Sequence, residues 1–134
     1  MQIDRVCISI NNRCNLSCKY CHFHEKKDVI KNDTMDVFEI LDNIITYIES
    51  KDIKLFKIGF VGNGEPLLEY NDLKEYILHI SGYIKRGKIM AYSITNGLLL
   101  NEDMIKFFVK NKVNLGFSID GTEKIHDMYR CNTH

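Results

Sequence analysis

The sequence predicts an α/β protein in which parallel strands alternate with helices. Short apolar runs rich in β-branched residues recur four times, and amphipathic stretches with apolar residues at helical spacing separate them. Because a helix that joins two strands of one sheet makes a right-handed crossover, the strands are expected to be parallel. Four strands are too few to close a barrel, which takes about 250 residues.

The first half of the chain predicts two strand–helix units. Asp, Thr and Asn are favoured at helix N-termini, and glycine is favoured just past a helix end. We therefore expect a buried strand over 3–10, a helix from Asp33-Thr34 to about Ser50, a strand over 55–61, and a helix from Asn71 to Gly87.

The second half repeats the pattern. A strand over 89–95, a helix opened by Asn101, a strand over 113–119 and a short helix near Thr122 are predicted. The polar and glycine-rich stretches then all follow the carboxyl ends of strands. That edge is where parallel α/β proteins bind ligands.

The overall composition excludes several classes of protein. Eighteen basic and 18 acidic residues give zero formal net charge, which argues against nucleic acid and anionic membranes as partners. No apolar run approaches the roughly 18 to 20 residues of a membrane span, and the first residues lack the order of a secretory signal. We expect a cytoplasmic protein whose five cysteines stay reduced.

Three cysteines lie within eight residues, at Cys14, Cys18 and Cys21. A short loop gathers three thiolates at little cost in chain entropy, but zinc and iron–sulfur sites usually take four ligands. A missing ligand often marks where substrate binds. The alternative is a structural zinc site completed by His22 or His24. Of the other cysteines, Cys7 is expected in the core of the first strand, and Cys131 has no partner in the sequence.

A glycine-rich stretch, Gly62-Asn63-Gly64-Glu65-Pro66, follows the second predicted strand. Glycines let the backbone approach a ligand closely, and the Glu65 carboxylate supplies acceptors for an amino group. Asn63 tolerates a left-handed backbone better than most residues. The alternative is an ordinary strand-to-helix turn.

The cysteine spacing, with Tyr20 just before the last cysteine, resembles the signature of the radical S-adenosylmethionine (radical SAM) enzymes. The resemblance implies a partial TIM-like barrel, of which this chain holds about four strands. It also implies a 4Fe–4S cluster on the three thiolates and SAM on the open iron, with Tyr20 against the adenine. Reductive cleavage of SAM then gives a 5′-deoxyadenosyl radical that abstracts hydrogen from a substrate.

The same resemblance extends to the later strand ends. Gly62 to Pro66 looks like the family's Gly-Gly-Glu-Pro segment, which binds the methionine amino group, with Asn63 replacing a glycine. Thr95-Asn96-Gly97 and Ser118-Ile119-Asp120-Gly121 match positions that contact the ribose or the methionine carboxylate. Asn-Gly and Asp-Gly are also common turn dipeptides. The implied cofactor-binding residues are Tyr20, Gly62, Asn63, Gly64, Glu65, Thr95, Asn96, Ser118 and Asp120.

The stretch from Ser118 to Arg130 further resembles the branch of anaerobic sulfatase-maturating enzymes and peptide maturases, which implies a peptide or protein side chain as substrate. His126 and Arg130 could equally be a solvated pair on a helix surface. We expect residues 1–134 to be the N-terminal portion of a radical SAM core domain without a second domain, served by an electron donor such as a flavodoxin or ferredoxin. The alternatives are a non-catalytic iron–sulfur or zinc-stabilised module and a partner-dependent half of an enzyme.

Overall fold

The computed structural model describes residues 2–21 and 36–131. Its strands are β1 (Arg5–Ile8), β2 (Phe56–Phe60), β3 (Ile89–Thr95) and β4 (Asn114–Phe117). Its helices are α1 (Val37–Ser50), a 3-10 helix (Pro66–Glu69), α2 (Tyr70–His79), α3 (Ser81–Lys85), α4 (Glu102–Lys110) and α5 (Glu123–Tyr129). The strands form one open parallel sheet in the order β1-β2-β3-β4. The predicted α/β class with an unclosed parallel sheet is confirmed.

The core lies on one face of the sheet. Along β3, buried residues alternate with residues that are exposed or half-buried, as expected when helices cover one face only. The largest fully buried side chains of the core include Phe56, Phe60, Leu41, Leu73 and Phe108. On the other face the Tyr92 ring covers Gly59, where a Cβ would come within 2.6 Å of the ring. Within 2–21 and 36–131, no helix combines the length and apolar character that crossing a membrane requires.

Strand β1 is shorter and more exposed than the sequence predicts. It spans four residues, of which Ile8 alone is buried. In the part of the chain that the structure describes, it is the first strand of the sheet and pairs with β2 alone, so it has a neighbour on one side. The prediction that Cys7 is a core residue is wrong: Cys7 is exposed, with its sulfur 3.5 Å from the Tyr92 hydroxyl.

Helix α1 ends at Ser50, as predicted, and begins after Asp36. The Asp36 side chain accepts a hydrogen bond of 2.9 Å from the Phe38 amide, which satisfies a free N–H of the first turn. The predicted cap at Asp33-Thr34 lies outside the described residues. Asn101 caps α4 as predicted, by accepting from the Met104 amide at 2.9 Å.

The helix predicted from Asn71 to Gly87 is two helices. The chain turns helical at Pro66, so α2 already begins at Tyr70 and Asn71 caps nothing. Ile80 interrupts the helix, with ψ near 5° in place of the helical value. Gly87 ends α3 with φ of 71°, which confirms the predicted left-handed residue.

Candidate functional site

The carboxyl ends of the strands open into a cavity of about 700 Å³. Eleven of the twelve residues that the sequence singles out line it: Cys14, Cys18, Tyr20, Cys21, Gly62, Asn63, Gly64, Glu65, Thr95, Asn96 and Ser118. The twelfth, Asp120, is not among the described lining residues and instead accepts a hydrogen bond from the Tyr20 hydroxyl. The fold therefore brings the cysteine loop (Cys14 to Cys21) and the glycine–glutamate loop (Gly62 to Glu65) together at the carboxyl ends of the strands, as predicted.

Glu65 anchors the glycine–glutamate side of the cavity. Its side chain is 2% exposed, and Oε1 accepts from the Leu67 amide at 3.1 Å and the Thr95 hydroxyl at 2.5 Å. Its Oε2 accepts from the Asn96 amide at 2.8 Å. A carboxylate offers about four acceptor positions, so three are filled by protein and one remains on Oε2.

Gly64 is the point of closest backbone approach. A Cβ there would overlap the Arg13 carbonyl oxygen and the Asn11 side-chain oxygen. The Glu65 amide donates to the same Arg13 carbonyl at 2.7 Å, and Asn11 Nδ2 donates to the Glu65 carbonyl at 2.8 Å. The loop after β1 is thus fastened to the loop after β2, and only glycine leaves room for the contact.

The cysteine loop lies across the cavity and is held near Cys14 by hydrogen-bond donors. The Leu16 amide is 3.4 Å and Asn96 Nδ2 is 3.9 Å from the Cys14 sulfur. Asn96 Nδ2 also donates to the Asn15 side-chain oxygen at 2.8 Å. Donors of this kind stabilise negative charge on sulfur, as a metal-ligating thiolate requires.

The three thiols are close enough to influence one another electrostatically. Burial raises the pKa of Cys18, the nearby Arg130 lowers it, and Cys14 and Cys21 raise it again. Among the described residues, no three His, Cys, Asp or Glu side chains converge on a single metal ion. A 4Fe–4S cluster takes one thiolate on each of several irons, so it needs ligands set farther apart. The Cys14, Cys18 and Cys21 thiols, which line a cavity of about 700 Å³, are therefore a suitable donor set for such a cluster.

Tyr20 is tied to the far end of the chain. Its hydroxyl donates to Asp120 Oδ2 at 2.5 Å, and Arg130 Nε donates to the same oxygen at 3.0 Å. Partial burial and this bond raise the pKa of Tyr20 to about 12, and the Tyr20 bond is the main cause that lowers the pKa of Asp120. The Arg130 guanidinium lies 5.5 Å from the centre of the Tyr20 ring.

Sequence reasoning missed two parts of the site. The Arg130 side chain is only 14% exposed and lines the cavity, so the alternative of a solvated pair with His126 is wrong. The sequence could have indicated that Arg130 lies near Asp120, because the two residues are only ten positions apart across a turn. Arg13 acts through its backbone carbonyl, which no sequence pattern reveals. His22 and His24, the alternative zinc ligands, lie outside the described residues.

Comparison with known proteins decides the family. The model of the radical SAM superfamily matches residues 8–134. The chain belongs to the radical SAM superfamily. This radical SAM chain is 35% identical over 128 residues to the cysteine-type anaerobic sulfatase-maturating enzyme of Clostridium novyi, covering 92% of this chain and 34% of that enzyme. It is 33% identical over 123 residues to the serine-type enzyme of Bacteroides thetaiotaomicron, covering 89% of this chain and 30% of that one.

A solved structure supports the same relationship. Native anSMEcpe with bound AdoMet and Cp18Cys peptide superposes with a TM-score of 0.73 at 27% identity, covering 96% of this chain and 34% of that one. The predicted radical SAM family and its sulfatase-maturase resemblance are confirmed. The chain spans about a third of the length of these curated relatives.

Proposed function

We propose that the chain binds a 4Fe–4S cluster through Cys14, Cys18 and Cys21 and binds SAM in the cavity beside them. The single observation that carries this proposal is the shared cavity, which the three cysteines and the glycine–glutamate loop line together. Its volume of about 700 Å³ lies in the range of small-molecule sites. When bound and reduced, the cluster would supply the electron that cleaves SAM into methionine and a 5′-deoxyadenosyl radical, and that radical would abstract hydrogen from the substrate.

The chain's own residues divide the remaining work. Gly62, Asn63 and Gly64 expose backbone to the ligand, and Glu65 fixes their path while keeping one acceptor position for the methionine amino group. Thr95 and Asn96 reach the cavity but are already bonded to the Glu65 carboxylate. Their part is therefore to hold the site in shape as well as to line it.

Ser118 is different from its neighbours. Its amide donates to the Thr95 carbonyl at 3.0 Å, which fixes the backbone, and the residue lines the cavity. Among the described residues no partner is recorded for its hydroxyl. We assign it to the ribose or carboxylate of SAM.

We propose a peptide or protein side chain as the substrate. The support is the similarity to two sulfatase-maturating enzymes and to a solved structure that holds a peptide together with AdoMet. A flavodoxin or ferredoxin in the cytoplasm is the proposed electron donor. We also propose that residues 1–134 are the N-terminal portion of the core domain. The open sheet gives a specific reason to test activity with a complementary polypeptide supplied in trans.

Anaerobic reconstitution with iron and sulfide tests the proposal. We expect a brown protein with about four irons per chain, whose electron paramagnetic resonance (EPR) spectrum after reduction changes when SAM is added. Uptake of one zinc in preference to iron, with no response to SAM, would leave the zinc-stabilised module as the correct reading. A cluster that forms but ignores SAM would indicate a non-catalytic iron–sulfur module.

A further inference from the structure

The cysteine loop is joined to the segment around α5 by three hydrogen bonds and by a contact of Arg130 with the Tyr20 ring. The Ser17 amide donates to the Cys131 carbonyl at 2.7 Å and the Lys19 amide to the Tyr129 carbonyl at 2.9 Å. These two bonds pair the segments in antiparallel order. They flank Cys18, so the backbone on both sides of the central cysteine is held by the far end of the described chain.

The remaining bond and the ring contact are made by side chains. Asp120 Oδ2 accepts from the Tyr20 hydroxyl and from Arg130 Nε at once, and Arg130 also faces the Tyr20 ring. A carboxylate that takes a phenol and a guanidinium on one oxygen makes two charge-assisted bonds, which are stronger than neutral ones. Asp120 itself is fixed by its amide, which donates to His126 Nδ1 at 3.3 Å.

The local structure of the loop gives it little support of its own. Within it, the described backbone bonds amount to a single turn from the Cys21 amide to the Cys18 carbonyl, at 3.0 Å. Leu16 is buried, but Tyr20 is 54% exposed, and its ring has neighbours at Tyr129, 6.5 Å away, and at Arg130. The bond to Asp120 is the hydrogen bond that fixes the Tyr20 hydroxyl among the described residues.

We propose that Asp120 and Arg130 are positioning residues, which hold Tyr20 and the Cys18–Cys21 half of the loop in their ligand-binding arrangement. Asp120 thereby acts through Tyr20 from outside the cavity. This replaces the direct contact with SAM that the sequence resemblance implied for it. The consequence for SAM rests on the function proposed above, while the consequence for the loop does not.

The test compares Asp120→Asn, Tyr20→Phe, the double variant, and Glu123→Gln as a control that removes an exposed carboxylate from α5. Hydrogen exchange of the full iron-free chain reports on the loop directly. We expect the amides of Ser17 and Lys19 to exchange about tenfold faster in Asp120→Asn than in the unmodified protein, and Glu123→Gln to leave them unchanged. Unchanged exchange in Asp120→Asn would overturn the proposal.

The second measurement is SAM affinity of the reconstituted chain, with iron content as a parallel readout. Each single variant should weaken SAM binding about five- to tenfold. The double variant should be no worse than Asp120→Asn, because that variant already lacks the bond that Tyr20→Phe removes. Additive losses would mean that Asp120 contacts SAM independently, which also overturns the proposal. Arg130→Lys should give partial rescue relative to Arg130→Met. If the unmodified chain binds no SAM, the proposed function fails, and the exchange data still decide the role of Asp120.

Discussion

The two walls of the cavity are built in different ways. The glycine–glutamate wall follows the central strand β2, and its Glu65 carboxylate is buried and accepts from three protein donors. The cysteine wall follows the edge strand β1, has three half-buried cysteines, and is held on both sides of Cys18 by backbone bonds to the segment around α5. The first wall is complete before any ligand arrives, whereas the second depends on contacts with α5 and on the metal it is proposed to bind.

Because of this difference, we expect substitutions in the two walls to impair different properties of the protein. Substitutions in the cysteine wall should remove the cluster while leaving the fold, because little of the core depends on that wall. Substitutions in the glycine–glutamate wall should cost free energy of folding first and SAM affinity with it. The following variants test that separation, from the largest expected effect to the smallest.

Cys18→Ala should abolish cluster binding, because two thiolates cannot hold the cubane securely. Iron per chain after reconstitution should fall from about four to a small fraction of one. Thermal unfolding of the iron-free chain should be unchanged. Cys7→Ser is the matched control, since Cys7 is exposed on the open face of β1; loss of iron in that variant would mean that the ligand set is wrongly assigned.

Glu65→Ala should keep the cluster but destabilise the fold and weaken the SAM response. It leaves three donors without their acceptor in a buried place, at a cost of about 3 kcal/mol in the free energy of unfolding. Denaturant unfolding and SAM titration followed by EPR check both effects. Glu65→Gln, which retains one acceptor oxygen, should lose less. Normal SAM binding by Glu65→Ala would refute the assignment of this loop.

Gly64→Ala should destabilise the protein by about 1–3 kcal/mol, because the new methyl group must displace the Arg13 backbone. Gly82→Ala is a matched control. A Cβ at Gly82 meets nothing within 4 Å and lies in α3, so alanine should stabilise by about 0.5–1 kcal/mol. Opposite shifts in melting temperature are expected; shifts of the same sign would contradict the close approach seen at Gly64.

Asn96→Ala should cost about 1 kcal/mol of stability, through loss of the bond to Asn15. Its more informative effect is on the cluster. Removing a donor near the Cys14 sulfur disfavours the more negative reduced state, so the reduction potential should become more negative. Redox titration measures it, and an unchanged potential would mean that Asn96 serves only the loop.

The sequence was sufficient for the architecture because periodicity reports burial directly. Strand β3 and the Asn101 cap follow from local patterns, and those predictions are confirmed. The break at Ile80 was missed because the apolar spacing continues through it. The exposure of Cys7 was missed because strand composition does not reveal which strand is at an edge.

For the site, the sequence predicted which residues line the cavity better than it predicted the hydrogen bonds between them. Gly64 and Glu65 belong to a recognisable segment, but their main partners are a backbone carbonyl at Arg13 and backbone amides, which have no signature in side-chain identity. The link from Asp120 to Tyr20 spans 100 residues along the chain. Contacts of that kind become visible only once the sheet has set the distance between loops.

Strand β4 pairs with β3, and within the described residues its other edge carries no further strand. Phe117 and Ile119 are 51% and 71% exposed beside that edge. A row of free peptide groups flanked by apolar side chains is a template for edge-to-edge association. At the chain's zero formal net charge, no repulsion from net charge opposes such contacts. We therefore expect the β4 edge to be the first place where copies of this chain associate, and we expect association to weaken at a pH away from zero net charge.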